Sequence, residues 1–584
     1  MLSKEDGSKD SKDAKNEIRV LLLDNQTSSI ISMYTTQSEL LRNEIYLMDK
    51  IDNFQRDKLR NLKCICFLKP DDHTVANLSK ELTAPNYLSY EVYFNNIISN
   101  PRLERLAESD DMEMVTKVVE IFQDYYIINK QLFTSVNIDN PLSDVAIDSW
   151  QLPAFNESVE SLMSLLLSVK FKPVIKYESN SKMCTKLANS INYEINSNSN
   201  LFNNLPAKDT PPLLLILDRK NDPITPLLSP WTYQSMIHEL IGIRNNTVDL
   251  SSLPNVTEEL KTIVINELQD QFYKDAMYSN FGELSESLRK FIEVYKSKTK
   301  TNSNIDSIKD MKFFLENYPE FKKTSLNLSK HMLLSTEIDR KINELRLWEI
   351  GELEQTMASN DDHHSDLAEL ENLLFDKKTT TAGAPLPPLK DNLKLKLLCI
   401  YALRYENHSN NQTTRLIKTL RQSGFPVEEL QFVQVLLNYA GTRKRFSNED
   451  DSIFDKIQNS GLVNGLNLKG NTDSGNVYMQ HVPRLHAVLT KLFRNKLSLK
   501  NYPILKPTGL ESYTSSDKIP PQEIVVYFVG GVTYEEARLI AELNRNNASL
   551  KIVLGSTNIV NSSKFISNLK RSGSNWTGSR ASTT

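Results

Sequence analysis

Short Leu-, Ile- and Val-rich runs, each leading into a helical pattern, lie near both ends of this 584-residue chain and are missing from its middle. That asymmetry constrains the fold more than any other feature. Near the start, Ile18-Arg-Val-Leu-Leu-Leu-Asp24 reads as a strand. A helix is expected from Gln37 to Ile51, with Leu40, Leu41, Ile45 and Met48 at helical spacing. A strand then covers Leu62–Leu68 and stops before Pro70. A helix over 72–82 and a strand at Tyr90–Phe94 complete the series. Strands alternating with helices predict a parallel sheet covered on both faces and joined by right-handed crossovers. The same rhythm returns in Pro212–Asp218 with the helix after it, and again in Ile524–Val529, Thr533–Leu543 and Lys551–Gly555.

The stretch 246–497 is different. Ser325–Met357 contains no proline, and Gly351 is its only glycine. Leu334, Ile338, Ile342, Leu345 and Trp348 recur at steps that share one helix face. Such a stripe either packs on its own domain or is offered to a partner helix. The polar runs Ser359–Ser365 and Lys377–Pro388 read as exposed loops. The expected fold class is therefore α/β plus helical: two parallel-sheet units with a large, mainly helical insertion. The residues alone do not say whether the last strands join the earlier sheet.

Lys plus Arg is 69 and Asp plus Glu is 73, a net charge of −4, which disfavours a protein built mainly to neutralise phosphate backbones. Four cysteines make no disulfide framework; Cys64 and Cys66, two apart on a strand, read as core thiols. Met1–Glu17 is polar and charged, lacks the apolar stretch of a signal peptide and reads as a disordered arm. No run approaches the length of a spanning helix, so a cytoplasmic protein is expected.

Asp24, Asp218 and Gly530-Gly531 occupy strand ends, where open α/β sheets bind ligands. Yet the chain has neither G-x-G-x-x-G after a strand nor G-x-x-x-x-G-K-[ST], so a nucleotide-binding enzyme stays the weaker alternative. No zinc-protease helix, paired C-x-x-C or nucleophile elbow appears, and His363-His364 reads as part of an exposed loop. No cofactor, metal ligand or catalytic residue is expected.

The segment Leu217-Asp-Arg-Lys-Asn-Asp-Pro-Ile-Thr-Pro-Leu-Leu-Ser-Pro-Trp-Thr-Tyr-Gln-Ser-Met-Ile-His-Glu-Leu240 reads as a rigid connector. Its three prolines stiffen a loop, and Thr232 is placed to cap a helix that turns Tyr233, Met236, Ile237 and Leu240 inward. It also resembles the signature of the SM (Sec/Munc-type) family of SNARE regulators. So do Asn280–Leu284, Val477–Pro483 and Gly530–Arg538, in the same order along nearly the whole chain. Thr36–Leu41, Leu103–Asp111 and Glu120–Asp124 are similar to the endosome/trans-Golgi branch of that family.

The resemblance implies an arch of three domains: α/β domain 1 at 18–135, a discontinuous α/β domain 2 at 136–245 and 498–584, and a helical domain 3 at 246–497 with a hairpin at about 310–357. It implies binding of a trans-Golgi/endosomal syntaxin-type Qa-SNARE. It further implies contact with a synaptobrevin-type R-SNARE and the assembled bundle, which the protein would template for fusion on the route to the vacuole. It implies a monomer held peripherally on Golgi, endosome and vacuolar-pathway membranes through its partners, with no nucleic acid. Three sites follow from it. Leu103, Leu106 and Ala107, with Val119 from the next helix, would form a pocket for the syntaxin N-terminal peptide. Asp24, with Asp49 and Asp52 at a helix end, would face the cleft that holds syntaxin. Pro319 would be the hinge of the hairpin, and Met332 an R-SNARE contact.

Overall fold

The computed structural model describes residues 18–576 apart from 34, 207, 209, 255, 303–307, 361, 377–386, 447–475 and 511–519. The expected arm at 1–17 and most of the Lys377–Pro388 loop lie outside the described residues.

The first sheet contains β1 (Arg19–Leu23), β2 (Ile45–Lys50), β3 (Leu59–Leu68), β4 (Tyr87–Phe94) and β5 (Val115–Glu120). Its order is β2-β1-β3-β4-β5 and every pairing is parallel. Each β1 residue sits between two strands, so the run Val20–Leu23 is buried on both faces, which explains why it is apolar without alternation. Cys64 and Cys66 are buried on one face of β3 with their sulfurs 3.7 Å apart.

Here the expected helix at 37–51 fails. A helix covers only Gln37–Arg42, and β2 follows at once. Asn43 caps it and Glu44 turns left-handed at φ 67°, which reverses the chain. Ile45 then enters the core while Tyr46, Leu47 and Met48 are exposed on the sheet edge. The spacing of Leu41, Ile45 and Met48 fits a helix, but pairing with β1 decides the outcome.

The second sheet takes β6 (Tyr126–Asn129), β7 (Leu132–Thr134), β8 (Val174–Tyr177) and β9 (Leu213–Asp218) from before the helical region. A separate hairpin is made by β10 (Thr247–Asp249) and β11 (Thr262–Val264). After the helices come β12 (Ile504–Leu505), β13 (Glu523–Val529) and β14 (Lys551–Ser556). The order is β12-β8-β9-β13-β14-β7-β6, parallel through the centre and antiparallel at both edges. The C-terminal strands therefore do complete the earlier sheet: Ile524–Val529 lies in register on Leu213–Asp218.

Two boundaries shift. The strands at 126–134 pair in the second sheet, not in the first as the range 18–135 requires. The helix Arg484–Phe493, expected in the helical insertion, packs Leu485, Val488, Leu489 and Leu492 against β9, β13 and β14.

The helical region is not a separate body. Leu334, Ile338 and Ile342 are fully buried in the same core as Leu214, Ile216, Val525 and Tyr527 of the second sheet. Each buried leucine or isoleucine stabilises the fold by about 1.5–3 kcal/mol, so the stripe serves its own domain. The helix breaks at Arg346, φ 56°, and Trp348 stacks on Trp231 at 4.6 Å. His363 is no loop residue either. It opens the helix His363–Leu374 and stacks on His408 at 4.0 Å.

Candidate functional site

Most of the connector 217–240 is buried. β9 ends at Asp218, and Arg219 turns into the protein with no exposure. Its guanidinium donates to Glu536 Oε2 at 2.5 Å, to the Gly531 carbonyl at 2.9 Å and to the Asp222 carbonyl at 3.1 Å. It also lies over the Phe528 ring, 4.6 Å from its centroid. Burial raises the Glu536 carboxyl, against the pull of Arg219. Asp218 accepts from Ser181 Oγ and Lys220 N, and burial pushes it up to about 6. Gly530 and Gly531 both have positive φ. A Cβ on Gly531 would fall 2.4 Å from Val560 Cγ1. The strand ends considered for a nucleotide are thus filled by an ion pair, a ring and two tight turns. Thr232 does precede the helix Tyr233–Leu240, but its hydroxyl bonds Ser235 Oγ and not a helix amide.

The outer face of the first sheet is open. The helix Asn100–Ser109 starts with Pro101 in its first turn and is tied down by Arg102, which donates to Asp72 and to the Pro70 carbonyl. Leu103 is 39% exposed and Ala107 is exposed beside it. Leu106 points the other way, into the core with Leu78, Leu82 and Tyr90. Val119 is on strand β5, not on a helix. It pairs with Tyr93 and packs on the opposite face of the sheet from Leu106. Its neighbour Val118 pairs with Val92, faces the helix side and is 44% exposed. The structure therefore leaves Leu103 and Ala107 exposed on one helix, sends Leu106 to the core and turns Val118, not Val119, to the helix side of the sheet. The period-two alternation of a strand sets Val118 and Val119 on opposite faces.

Asp24, Asp49 and Asp52 do not form one charged face. Asp24 is buried, caps the helix Asn25–Ser32 through Thr27 N at 2.8 Å, and accepts from Lys69 N. Burial raises its carboxyl. Asp49 is on edge strand β2 and binds Asn53 Nδ2; Asp52 is exposed in the turn beyond. Neither lies at a helix end.

The hairpin is built from the helices Phe281–Asn302 and Ile308–Glu344. The second runs unbroken through Pro319. Its base is pinned: Lys330 and His331 both bind Asp270, and His331 Nδ1 meets the Tyr233 hydroxyl at 2.8 Å. Burial raises the Asp270 carboxyl, but the contacts of His331 and Lys330 outweigh it and hold the group well below the carboxylate range. Met332, next to this anchor, is 45% exposed.

A polar network between the two sheets was not foreseen. Lys69 from the first unit binds Glu157 at 3.0 Å and Glu160 at 3.2 Å on the helix Leu152–Ser168 of the second. Gln26, Asn95 and Asn96 converge on Asp124 in the same place. Burial pushes Glu157 up to about 7. Asp124, Glu157 and Glu160 bring oxygens within 4.8 Å of one another, but the Lys69 ammonium already supplies the counter-charge. Residues scattered over more than 100 positions cannot be joined by local spacing.

Comparison with known proteins decides the family. The Sec1 family model matches residues 19–568. The chain belongs to the Sec1 family. Among similar sequences, vacuolar protein sorting-associated protein 45 of Saccharomyces cerevisiae is 41% identical over 95% of this chain and 94% of its own length. The Homo sapiens protein of that name is 38% identical over 95% and 93%. Among solved structures, the SM protein Vps45 in complex with the Qa SNARE Tlg2 superposes with a TM-score of 0.85 at 38% identity, covering 97% of this chain and 96% of the other. The Unc18–syntaxin 1 complex from Monosiga brevicollis, at 17% identity, TM-score 0.72 and 96% of both chains, shares the fold. The three-part arch of this Sec1-family chain is that of the SM proteins.

Proposed function

We propose that this Sec1-family chain binds a syntaxin-type Qa-SNARE and promotes assembly of the SNARE bundle for vesicle fusion between endosome, trans-Golgi and vacuole. The observation that carries this reading is its 38% identity, across 97% of the chain, to a Vps45 solved with the Qa SNARE Tlg2. The mechanism is templating. A folded surface that holds SNARE helices in register reduces the ordering cost of forming a four-helix bundle. In this reading the chain acts without catalysis or cofactor, as a monomer. It sits on Golgi, endosomal and vacuolar-pathway membranes through its partners. The described residues contain no helix long and apolar enough to cross a membrane.

The geometry supports particular roles. The exposed set Leu103, Ala107 and Val118 beside the unpaired edge of β5 suits an extended N-terminal peptide, with apolar anchors against the helix and main-chain bonds to the strand. Asp49 and Asp52, with exposed Tyr46, Leu47 and Met48, suit the flank of a SNARE helix on the opposite edge. Asp24, as a buried cap, supports that edge without touching a partner. Met332 on its pinned base suits adaptable contact with an R-SNARE helix. Pro319 lacks an N–H inside a helix, which in this reading makes it the weak point where the hairpin would bend on partner binding. The alternative, a nucleotide-using enzyme, loses support because Arg219, Glu536 and Phe528 fill the sheet's carboxyl end.

Isothermal titration with the N-terminal peptide of a trans-Golgi/endosomal syntaxin, and with its cytosolic part, tests the reading. Saturable one-to-one binding supports it. No binding of any such syntaxin to a folded sample overturns it.

A further inference from the structure

Against a net charge of −4, one stretch stands out. Between Asp473 and Glu511 the sequence has no acidic residue and six Lys or Arg. Its second half leaves the helix Arg484–Phe493 through a left-handed Asn495, φ 53°, and makes the turn Ser498–Asn501 before β12. Leu499, at the tip of that turn, is 53% exposed.

The turn is held rigidly. Tyr502 N donates to the Ser498 carbonyl at 2.8 Å, and Ser179 N donates to the Asn501 carbonyl at 2.9 Å. Ser179 Oγ donates to the Lys500 carbonyl at 3.0 Å. Buried Tyr502 is fixed from below by Arg484 and Glu178. The exposure of Leu499 is thus imposed by the backbone.

Exposed cations lie on the segments that meet at this turn. Lys496 and Lys500 flank it in sequence. Asn180, next to Ser179, holds the Lys444 carbonyl at 3.0 Å, and Lys182 opens the following helix. The ammonium groups of Lys182, Lys444, Lys496 and Lys500 make no ion pair among the described residues. The nearby acid Asp148 is already engaged by Lys220 Nζ at 2.9 Å and Lys182 N at 3.0 Å.

We propose that this turn and the exposed lysines of the segments bonded to it form a docking surface for anionic phospholipid. An apolar tip enters the headgroup layer while flexible lysine stems keep their charges at the surface. Neutral bilayers lack the charge, and an acidic protein surface gives no reason for an exposed leucine at the centre. The surface lies at the β8–β12 edge of the second sheet, whereas the peptide groove proposed above lies on the first sheet. The chain could therefore hold a membrane and a SNARE peptide together.

The test is flotation of the full chain with vesicles of phosphatidylcholine alone or with about one-third phosphatidylserine. The expected result is binding to the anionic vesicles only, falling as salt is raised. Lys496→Glu with Lys500→Glu should weaken it at least about 25-fold, at about fivefold per lysine. Leu499→Asp should weaken it about tenfold. These side chains are exposed, so thermal midpoints and syntaxin-peptide titrations should stay at parent values. No binding to anionic vesicles, equal binding to both vesicle types, or variants that bind like the parent would each overturn the proposal. So would charge-dependent binding that Leu499→Asp leaves unchanged, which would identify an acidic macromolecule as the occupant.

Discussion

The carboxyl end of the second sheet and the outer edge of the first have opposite characters. At the first, Arg219, Glu536, Asp218 and Gly531 are buried and every contact is internal. At the second, Leu103, Ala107 and Val118 are exposed among the described residues. The segment that most clearly marks the family therefore positions the surfaces, while the surfaces that would bind are short apolar sets of no special wording. The difference predicts that substitutions at the first place unfold the protein and leave no separable effect on binding. Substitutions at the second should do the reverse.

Five changes sharpen or break that contrast. Arg219→Met leaves Glu536 and Asp222 buried without their counter-charge, and should cost about 3–5 kcal/mol in a urea titration. A parent-like midpoint would mean the pair carries little. Pro319→Ala restores a main-chain N–H inside the helix Ile308–Glu344 and should favour the unbent helix by up to about 3 kcal/mol. Slower proteolysis of the hairpin and a changed SNARE assembly rate are the readouts; if neither moves, the hinge assignment fails. Gly531→Ala meets Val560 and a positive φ, and should cost about 1–3 kcal/mol of thermal stability.

Glu157 lies between the two regions in kind, buried yet titratable. Its folded carboxyl is raised from 4.5 to about 7, so the folded state holds the proton more tightly than the unfolded one. Its contribution is fully present below about pH 4.5 and declines as pH rises through 7. Glu157→Gln should remove about 1–2 kcal/mol of that slope, read from urea midpoints across the window. An unaltered pH profile would assign the slope to other groups. The smallest effect on stability is expected of Leu103→Arg, within about 0.5 kcal/mol, together with an affinity for the syntaxin peptide lower by about tenfold or more. Unchanged affinity would move the peptide elsewhere.

Much of the architecture was legible because its signals are local. Val20–Leu23, Leu213–Leu217 and Ile524–Val529 are buried parallel strands and read as such. The misread elements share one cause, a local pattern overruled by distant pairing. Leu41, Ile45 and Met48 fit a helix until β1 supplies a neighbour for Ile45–Lys50. The strands 126–134 follow the first sheet in sequence but find β14 in space. Leu106 and Val119 were grouped with Leu103 by the family resemblance alone, and the structure turns Leu106 into the core and Val119 to the opposite face of the sheet. The Lys69–Glu157 and Arg219–Glu536 pairs span the chain and have no sequence signature.

The register of Ile524–Val529 on Leu213–Asp218 also sets a schedule for biosynthesis. When β9 leaves the ribosome its central neighbour β13 is still about 300 residues away, or roughly 15–60 seconds at ordinary elongation rates. For that interval the middle strand of the sheet lacks its partner on one hydrogen-bonding edge, flanked by apolar side chains. Slow codons or chaperone shortage during that window should lower the yield of native protein more than equal stress after release.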